Sequence, residues 1–360
     1  MKNIKLRIVY LILGAALLLF ALFMLAVNVV IPAHFVSEAE KALRNEAQYE
    51  NRTIPYTYEG EVYDDDWDDG AEEHFFTPSI VFLELENGYQ PWNILALTFT
   101  NKAAREMKTR IGRQVGPERA RWLWMGTFHS LFLRILHAEA DVLGFTHQFT
   151  IYDTADSKSL IRSIVKEMQL DEKVYKPGLI QSRISNAKNH LVSPADYARN
   201  KEAYEYDCAA KVPALRDVYR RYWERCRQAD AMDFDDLLLN VVRLFQEQEH
   251  LRALYGSRFQ HILVDEYQDT NYLQSRFIDL LSREHGQLMV VGDDAQSIYS
   301  WRGADMENIL SFTTRYPAAK TFKIETNYRS VPEILELSNA AIAANEVQIE
   351  KRLRSVRPTG

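Results

Sequence analysis

Ile262-Leu263-Val264-Asp265-Glu266-Tyr267-Gln268-Asp269-Thr270 is the stretch that decides how this 360-residue chain folds. Three apolar residues in a row suit a short strand buried on both faces, as in parallel sheets. Two adjacent carboxylates follow at once, so the strand delivers them to the carboxyl edge of a sheet, where open α/β folds bind their ligands. There Asp265 can hold a divalent cation and Glu266 can activate water. A bare apolar-Asp-Glu string fits equally well a buried strand whose Asp caps the next turn. The neighbouring segments decide between the two.

Leu288 to Gly292 is a second apolar strand, and it opens into Asp293-Asp294-Ala295-Gln296-Ser297-Ile298-Tyr299-Ser300-Trp301-Arg302-Gly303-Ala304-Asp305. At the end of a strand beside the first, Gln296 can touch a γ-phosphate, while Trp301 and Arg302 can reach a nucleic-acid base. Glu325-Thr326-Asn327-Tyr328-Arg329-Ser330 offers a guanidinium for transition-state charge and, in Tyr328, a flat surface for a purine. Upstream, Ile94 to Ala104 reads as a strand that ends in small polar residues before a helix, which suits contact with the backbone of a single strand.

In this order the segments resemble those of the UvrD/PcrA-type superfamily 1 DNA helicases, over roughly Pro91 to Gly360. Thr98-Phe99-Thr100-Asn101-Lys102-Ala103-Ala104 is similar to motif Ia, Gly126-Thr127-Phe128-His129-Ser130 to motif Ib and Asp233-Phe234-Asp235-Asp236-Leu237 to motif Id. Asp265 to Thr270 resembles the Walker B segment, Gly292 to Asp305 motif III, and Asn327-Tyr328-Arg329-Ser330 motif IV. Six such motifs in register make coincidence very improbable.

The resemblance implies an α/β fold: a partial RecA-like parallel sheet flanked by helices, with an all-helical insertion. Its core would occupy 91-148 and 230-325, its insertion 149-229, and the start of a second core domain 326-360. It implies ATP and Mg²⁺ as cofactors, single-stranded and duplex DNA as partners, 3′-5′ unwinding as the activity and the cytoplasm as its place. Asp265 would bind Mg²⁺, Glu266 would be the catalytic base, and Gln296 would sense the γ-phosphate. Arg329 would complete the ATP site from the second core domain, with Tyr328 stacking on adenine. Phe99, Thr100, Asn101, Thr127, His129, Trp301 and Arg302 would contact DNA. Taken singly, Phe99 and Trp301 read as core aromatics and Arg329 as a solvated or paired arginine.

One required element is missing. Wrapping a triphosphate takes Gly-x-x-x-x-Gly-Lys-Ser/Thr, and the chain contains no Gly-Lys pair. By the resemblance the loop belongs near residues 55 to 75, where Gly60-Glu61-Val62-Tyr63-Asp64-Asp65-Asp66-Trp67-Asp68-Asp69 would repel phosphates. Motifs V and VI are absent as well. The expectation is a truncated or chimeric chain, inactive alone, with a non-catalytic DNA-binding remnant as the alternative.

The first ninety residues read differently. Lys2, Lys5 and Arg7 precede an uncharged apolar run, residues 8–31, long enough to cross a bilayer. The expectation is an anchor at 1-32, a single transmembrane helix that binds the membrane, followed by a short acidic α+β segment at 33-90. Alternation such as Ile80-Val81-Phe82-Leu83-Glu84-Leu85 supports that segment. Its layout resembles the anchor and ectodomain of bacterial sensor histidine kinases, so a membrane-anchored sensor fragment is the third reading. Such an anchor would export everything after Pro32, away from ATP and chromosomal DNA. A join of unrelated coding segments near Gln90-Pro91 is therefore expected.

Charge follows the same division: residues 1–7 carry +3, residues 33–90 carry −12, and residues 91–360 carry +2. A nearly neutral domain can still bind DNA through a local groove. Apolar spacing predicts helices over Ala103–Gly112, Ser130–Leu143, Ser157–Met168, Leu215–Arg227, Asp235–Gln246 and Val331–Asn345. Asp153 to Asp156 and Asp233 to Asp236 supply amino-terminal caps. Phe149 to Ala229 reads as strandless, with Lys188, Lys211, Arg216, Arg220, Arg221 and Arg225 either facing duplex DNA or solvated, and Glu350 to Gly360 as a basic tail. Cys208 and Cys226 lack metal-ligand spacing, the Asp64–Asp69 run lacks the EF-hand pattern, and His129 has no second ligand nearby.

Overall fold

Two apolar runs set the architecture because both of their faces are covered. In the computed structural model, β1 (Ile94–Thr98) leads through α1 (Asn101–Val115) and α2 (Pro117–Ala120) to β2 (Trp124–Thr127) and α3 (Phe128–Glu139). β3 (Thr150–Tyr152) then opens the insertion, α4 (Thr154–Glu167), α5 (Pro177–Asn189), α6 (Pro194–Arg199), α7 (Lys201–Ala209) and α8 (Leu215–Gln228), which β4 (Ala231–Asp233) closes. The chain continues as α9 (Phe234–Glu247), α10 (Glu249–Arg258), β5 (His261–Val264), α11 (Tyr272–Ser282) and β6 (Leu288–Val290). Last come α12 (Glu307–Leu310), α13 (Phe312–Arg315), β7 (Thr326–Asn327), α14 (Pro332–Ile342) and β8 (Arg354–Ser355). The structure describes residues 88–283, 285–300 and 303–358 together with Val81, Glu84 and Leu85, all within one unit, Asp69–Gly360. The expected anchor, nearly all of the acidic segment, Trp301 and Arg302 lie outside the described residues.

The main sheet is wholly parallel, in the order β2-β1-β5-β6. Successive residues point to opposite faces, and both sides are apolar. Leu95, Leu97, Ile262 and Val264 pack beneath Phe128 and Phe132 of α3, Val241 and Phe245 of α9 and Phe277 of α11. Ile94, Ala96 and Leu263 face Met107 and Ile111 of α1 together with Val81 and Leu85. Val81, Glu84 and Leu85 are helical. The alternation read as strand-like is therefore an i, i+4 helical face laid on the sheet.

The insertion has an apolar core of its own, in which Ile161, Ile164, Ile184, Val218 and Tyr219 are nearly or fully inaccessible. It is not strandless. β3 pairs in parallel with β4 through Thr150↔Ala231 to Tyr152↔Asp233, tying its two ends together. The carboxy-terminal stretch is more than a basic tail, since β8 pairs with β7. Asp153 and Asp233 cap α4 and α9 with reciprocal capping boxes, as the sequence predicts.

Lys188 corrects the picture of a solvated basic face. It is fully buried at the end of α5, 2.6 Å from Asp233 Oδ2 and 2.8 Å from Asp236 Oδ1. The Tyr222 hydroxyl donates to the same Asp233 oxygen at 2.7 Å. The cation thus belongs to the joint between insertion and core.

Candidate functional site

Asp265 leaves β5 still bonded to the sheet: its N–H donates to Leu97 O at 2.9 Å, and Val291 N–H donates to Val264 O at 2.8 Å. This holds the two carboxylates at the carboxyl edge, between β1 and the end of β6. Burial, and then the charge of Glu266, push the Asp265 carboxyl up to about 6. Glu266 has φ +54° and ψ +42°, the left-handed region that side chains other than glycine seldom enter. Such strain persists only where surrounding contacts enforce it.

Gln268 supplies one of them. Its Nε2 donates to Glu266 Oε2 at 2.7 Å, while its Oε1 accepts the N–H of Asp293 at 3.0 Å. The residue is only 1% exposed. The close approach requires glycine at 292, where a Cβ would stand 2.7 Å from Gln268 Oε1 and 2.8 Å from Ile309 Cδ1. Asp293 in turn accepts from Gln296 Nε2 at 2.8 Å. Glu266 and Gln296 are therefore brought together through two linkers that sequence reasoning passed over. The signal for them was modest: a polar residue two positions after Glu266, and a glycine just before Asp293.

The residues expected to face DNA have mixed placements. Phe99 lies against Tyr299, with ring centroids 5.7 Å apart and planes 33° apart, joining the end of β1 to the loop after β6. Thr100 and Thr127 are the N-caps of α1 and α3, accepting from Ala103 N–H and Ser130 N–H, and Asn101 is the first residue of α1. His129 is half-buried and edge-on to Phe234 at 6.1 Å. Burial lowers its pKa to about 4, so the imidazole is neutral at pH 7. Tyr328 and Arg329 stand on an exposed turn after β7. That turn is set by Asn327 Oδ1, which accepts from Arg329 N–H at 3.0 Å, and by Arg357 Nε, which donates to Tyr328 O at 2.8 Å. Neither bond involves the carboxylate cluster.

The edge suits a hard cation. Asp265 is a partly desolvated carboxylate beside a second negative charge, and Thr98 Oγ1, at the end of neighbouring β1, is buried without a hydrogen-bond partner among the described residues. No group of three His, Cys, Asp or Glu side chains forms a metal cage among the described residues. Mg²⁺ needs none, because it binds through one or two carboxylates, water and substrate phosphates. A triphosphate is less well served, since no Gly-Lys pair exists to cradle it.

Comparison with known proteins matches residues 76–317 to the UvrD/REP helicase N-terminal domain. The chain belongs to that family. It is similar to the ATP-dependent DNA helicase PcrA of Staphylococcus aureus (strain Mu50), 43% identical over 284 residues that cover 79% of this chain and 38% of that protein. The PcrA of Staphylococcus epidermidis (strain RP62A) gives the same identity and coverage. The chain thus spans well under half the length of these relatives. The family match begins at residue 76, and Val81 and Leu85 pack into the UvrD/REP core. Similarity to helicases thus starts upstream of Gln90-Pro91, where the sequence alone placed its beginning.

Proposed function

We propose that the chain supplies the first core and helical insertion of an ATP-dependent 3′-5′ DNA helicase of the UvrD/PcrA type, acting on single-stranded and duplex DNA in the cytoplasm. The observation that carries this reading is the bonded series Glu266, Gln268, Asp293, Gln296 at the carboxyl edge of a parallel sheet. In this reading Asp265 holds Mg²⁺, which when bound offsets phosphate charge. Glu266 accepts a proton from the attacking water, and Gln296 reports on the terminal phosphate. Arg329 approaches that phosphate from the second core, and Tyr328 stacks on the base. Phe99, Thr100, Asn101, Thr127 and His129 contact the single strand in this reading, as do Trp301 and Arg302.

Without a phosphate-wrapping loop, this polypeptide binds single-stranded DNA but does not turn over ATP alone. ATPase assays on the full chain, with and without single-stranded DNA and beside a salt series of DNA binding, test both halves. DNA-stimulated turnover would refute the loss of hydrolysis. Absence of salt-dependent DNA affinity would refute the DNA reading. A remnant that only binds DNA is the second reading, favoured by the acidic Gly60–Asp69 stretch. If the N-terminal segment belongs to the same protein, residues 8–31 are a single-pass anchor and the chain is a membrane protein; alkaline carbonate extraction of membranes, which releases an unanchored chain, tests that.

A further inference from the structure

Lys351, four residues after Val347 and beyond α14, reaches back to the loop that follows β6. Its ammonium lies 2.5 Å from Asp293 Oδ1 and also pairs with Asp294, whose other carboxylate oxygen accepts the N–H of Ile349 at 2.9 Å. Asp294 is buried and the Lys351 side chain largely so. Burial opposes the ammonium charge, but hydrogen bonds to the two carboxylates raise its pKa above the ordinary lysine value. The Asp293 N–H donates to Gln268, and Gln268 donates to Glu266. A charge in the segment that pairs with β7 is thus three polar contacts from the carboxylate proposed to activate water.

We propose that Gln268 is a positioning residue, and that Lys351, Asp293 and Gln268 form a relay through which the segment around β7 and β8 sets the placement of the Glu266 carboxylate. The physical basis is directional bonding inside a tight space. Gln268 uses its carbonyl oxygen on one side and its amide on the other, so turning the amide plane to follow Asp293 moves the donor to Glu266 as well. Gly292 and Ile309 leave that plane little alternative room. Glu266 sits in a strained backbone conformation, which a displaced partner would release. When Lys351 withdraws, Asp293 loses its cation, the loop relaxes, and Glu266 is freed. The relay rests on the reading of Glu266 given above, and its test uses no nucleotide, so the two fail separately.

The test is amide NMR on the labelled full-length chain with three changes: Lys351→Met, Gln268→Leu, and the pair. Lys351→Met is expected to shift the amide resonances of Asp293, Gln268 and Glu266. In the Gln268→Leu background the same change should still shift Asp293, while its effect at Glu266 is lost. Non-additivity of this kind reports coupling between residues and is not produced by two independent structural losses. Lys351→Arg, which keeps the cation, should leave Glu266 near its original position and guards against loss of fold. An unmoved Glu266 in Lys351→Met overturns the relay, as does a shift at Glu266 that persists without Gln268.

Discussion

Replacing Lys188 with methionine should be the most destabilising single change in the joint between insertion and core. Burial opposes the Lys188 charge, and Asp233 and Asp236 overcome that penalty, holding the ammonium above the ordinary lysine range. The two carboxylates divide one cation unequally. Asp233 is held low by Lys188 against the cost of burial, whereas burial and the Asp233 charge push Asp236 up to about 7. Methionine fills the volume but leaves two carboxylates buried together, a loss of about 3–5 kcal/mol when one partner of a buried ion set is removed. That loss depends on pH. Below about 7 the wild type already carries a proton on Asp236. With no cation to hold Asp233 low, the folded variant takes up a further proton at a pH where the unfolded chain has released it, so its stability falls more steeply than the wild type's as pH rises above about 4. One proton over two pH units is worth about 2–3 kcal/mol. Urea unfolding of both proteins, followed by tryptophan fluorescence at pH 5 and pH 8, should show the larger difference at pH 8. A loss below about 1 kcal/mol at pH 8, or an equal loss at both values, would refute the argument.

Other consequences follow from contacts already described. Gly292→Ala places a Cβ against Gln268 and Ile309 and should cost about 1–3 kcal/mol as overpacking, seen as a lower midpoint in thermal melts. Thr127→Ala removes the N-cap of α3 and should cost about 0.5–2 kcal/mol, while Thr127→Ser keeps the cap and most of the stability. Phe99→Ala breaks the Phe99–Tyr299 pair and should weaken single-stranded DNA binding by about 1–3 kcal/mol, measured by fluorescence anisotropy, with the salt slope unchanged. His129 is depressed to about 4 by burial, so the unfolded chain binds more protons between pH 4 and 6.5 and stability falls as pH drops through that window. His129→Phe should remove roughly 1–3 kcal/mol of that dependence, read from urea midpoints at pH 4.5 and 7.

What could be read from the sequence was whatever local chemistry decides. The runs Ile94–Leu97 and Ile262–Val264 announce strands buried on both sides, and the Asp153 and Asp233 capping boxes mark helix starts that the structure reproduces. What was hidden depends on partners distant in sequence. β3 and β8 are three and two residues long, too short to show a period, and exist because β4 and β7 lie beside them. Val81 and Leu85 fit an i, i+4 face as well as an alternating one, and the sheet they pack on marks them as helical. Lys188 carries no mark of burial on α5, since its carboxylates come from 45 and 48 positions later. Gln268 acquires its placement from Gly292, whose missing side chain leaves the space.

The apolar residues of the sheet and those of the insertion form separate clusters, and the polar joint falls between them. Apolar burial is strong but has no preferred direction, so two such cores alone would not fix the angle of the insertion. Hydrogen bonds do. Asn189, next to Lys188, donates to Asp235 Oδ1 at 2.9 Å and accepts from Asn271 Nδ2 at 3.2 Å. Asn271 caps α11, the helix that follows the Asp265–Thr270 segment. The end of α5 is therefore fastened both to α9 and to the start of α11, directly after the segment that carries Asp265 and Glu266. Loosening this joint should leave each core folded while freeing its orientation. Asn189→Ala should accordingly preserve the far-ultraviolet circular dichroism but widen the distance distribution between spin labels on α7 and α1. An unchanged distribution would refute a role for the Asn189 bonds, leaving Lys188, Tyr222 and the β3–β4 pairing to hold the insertion in place.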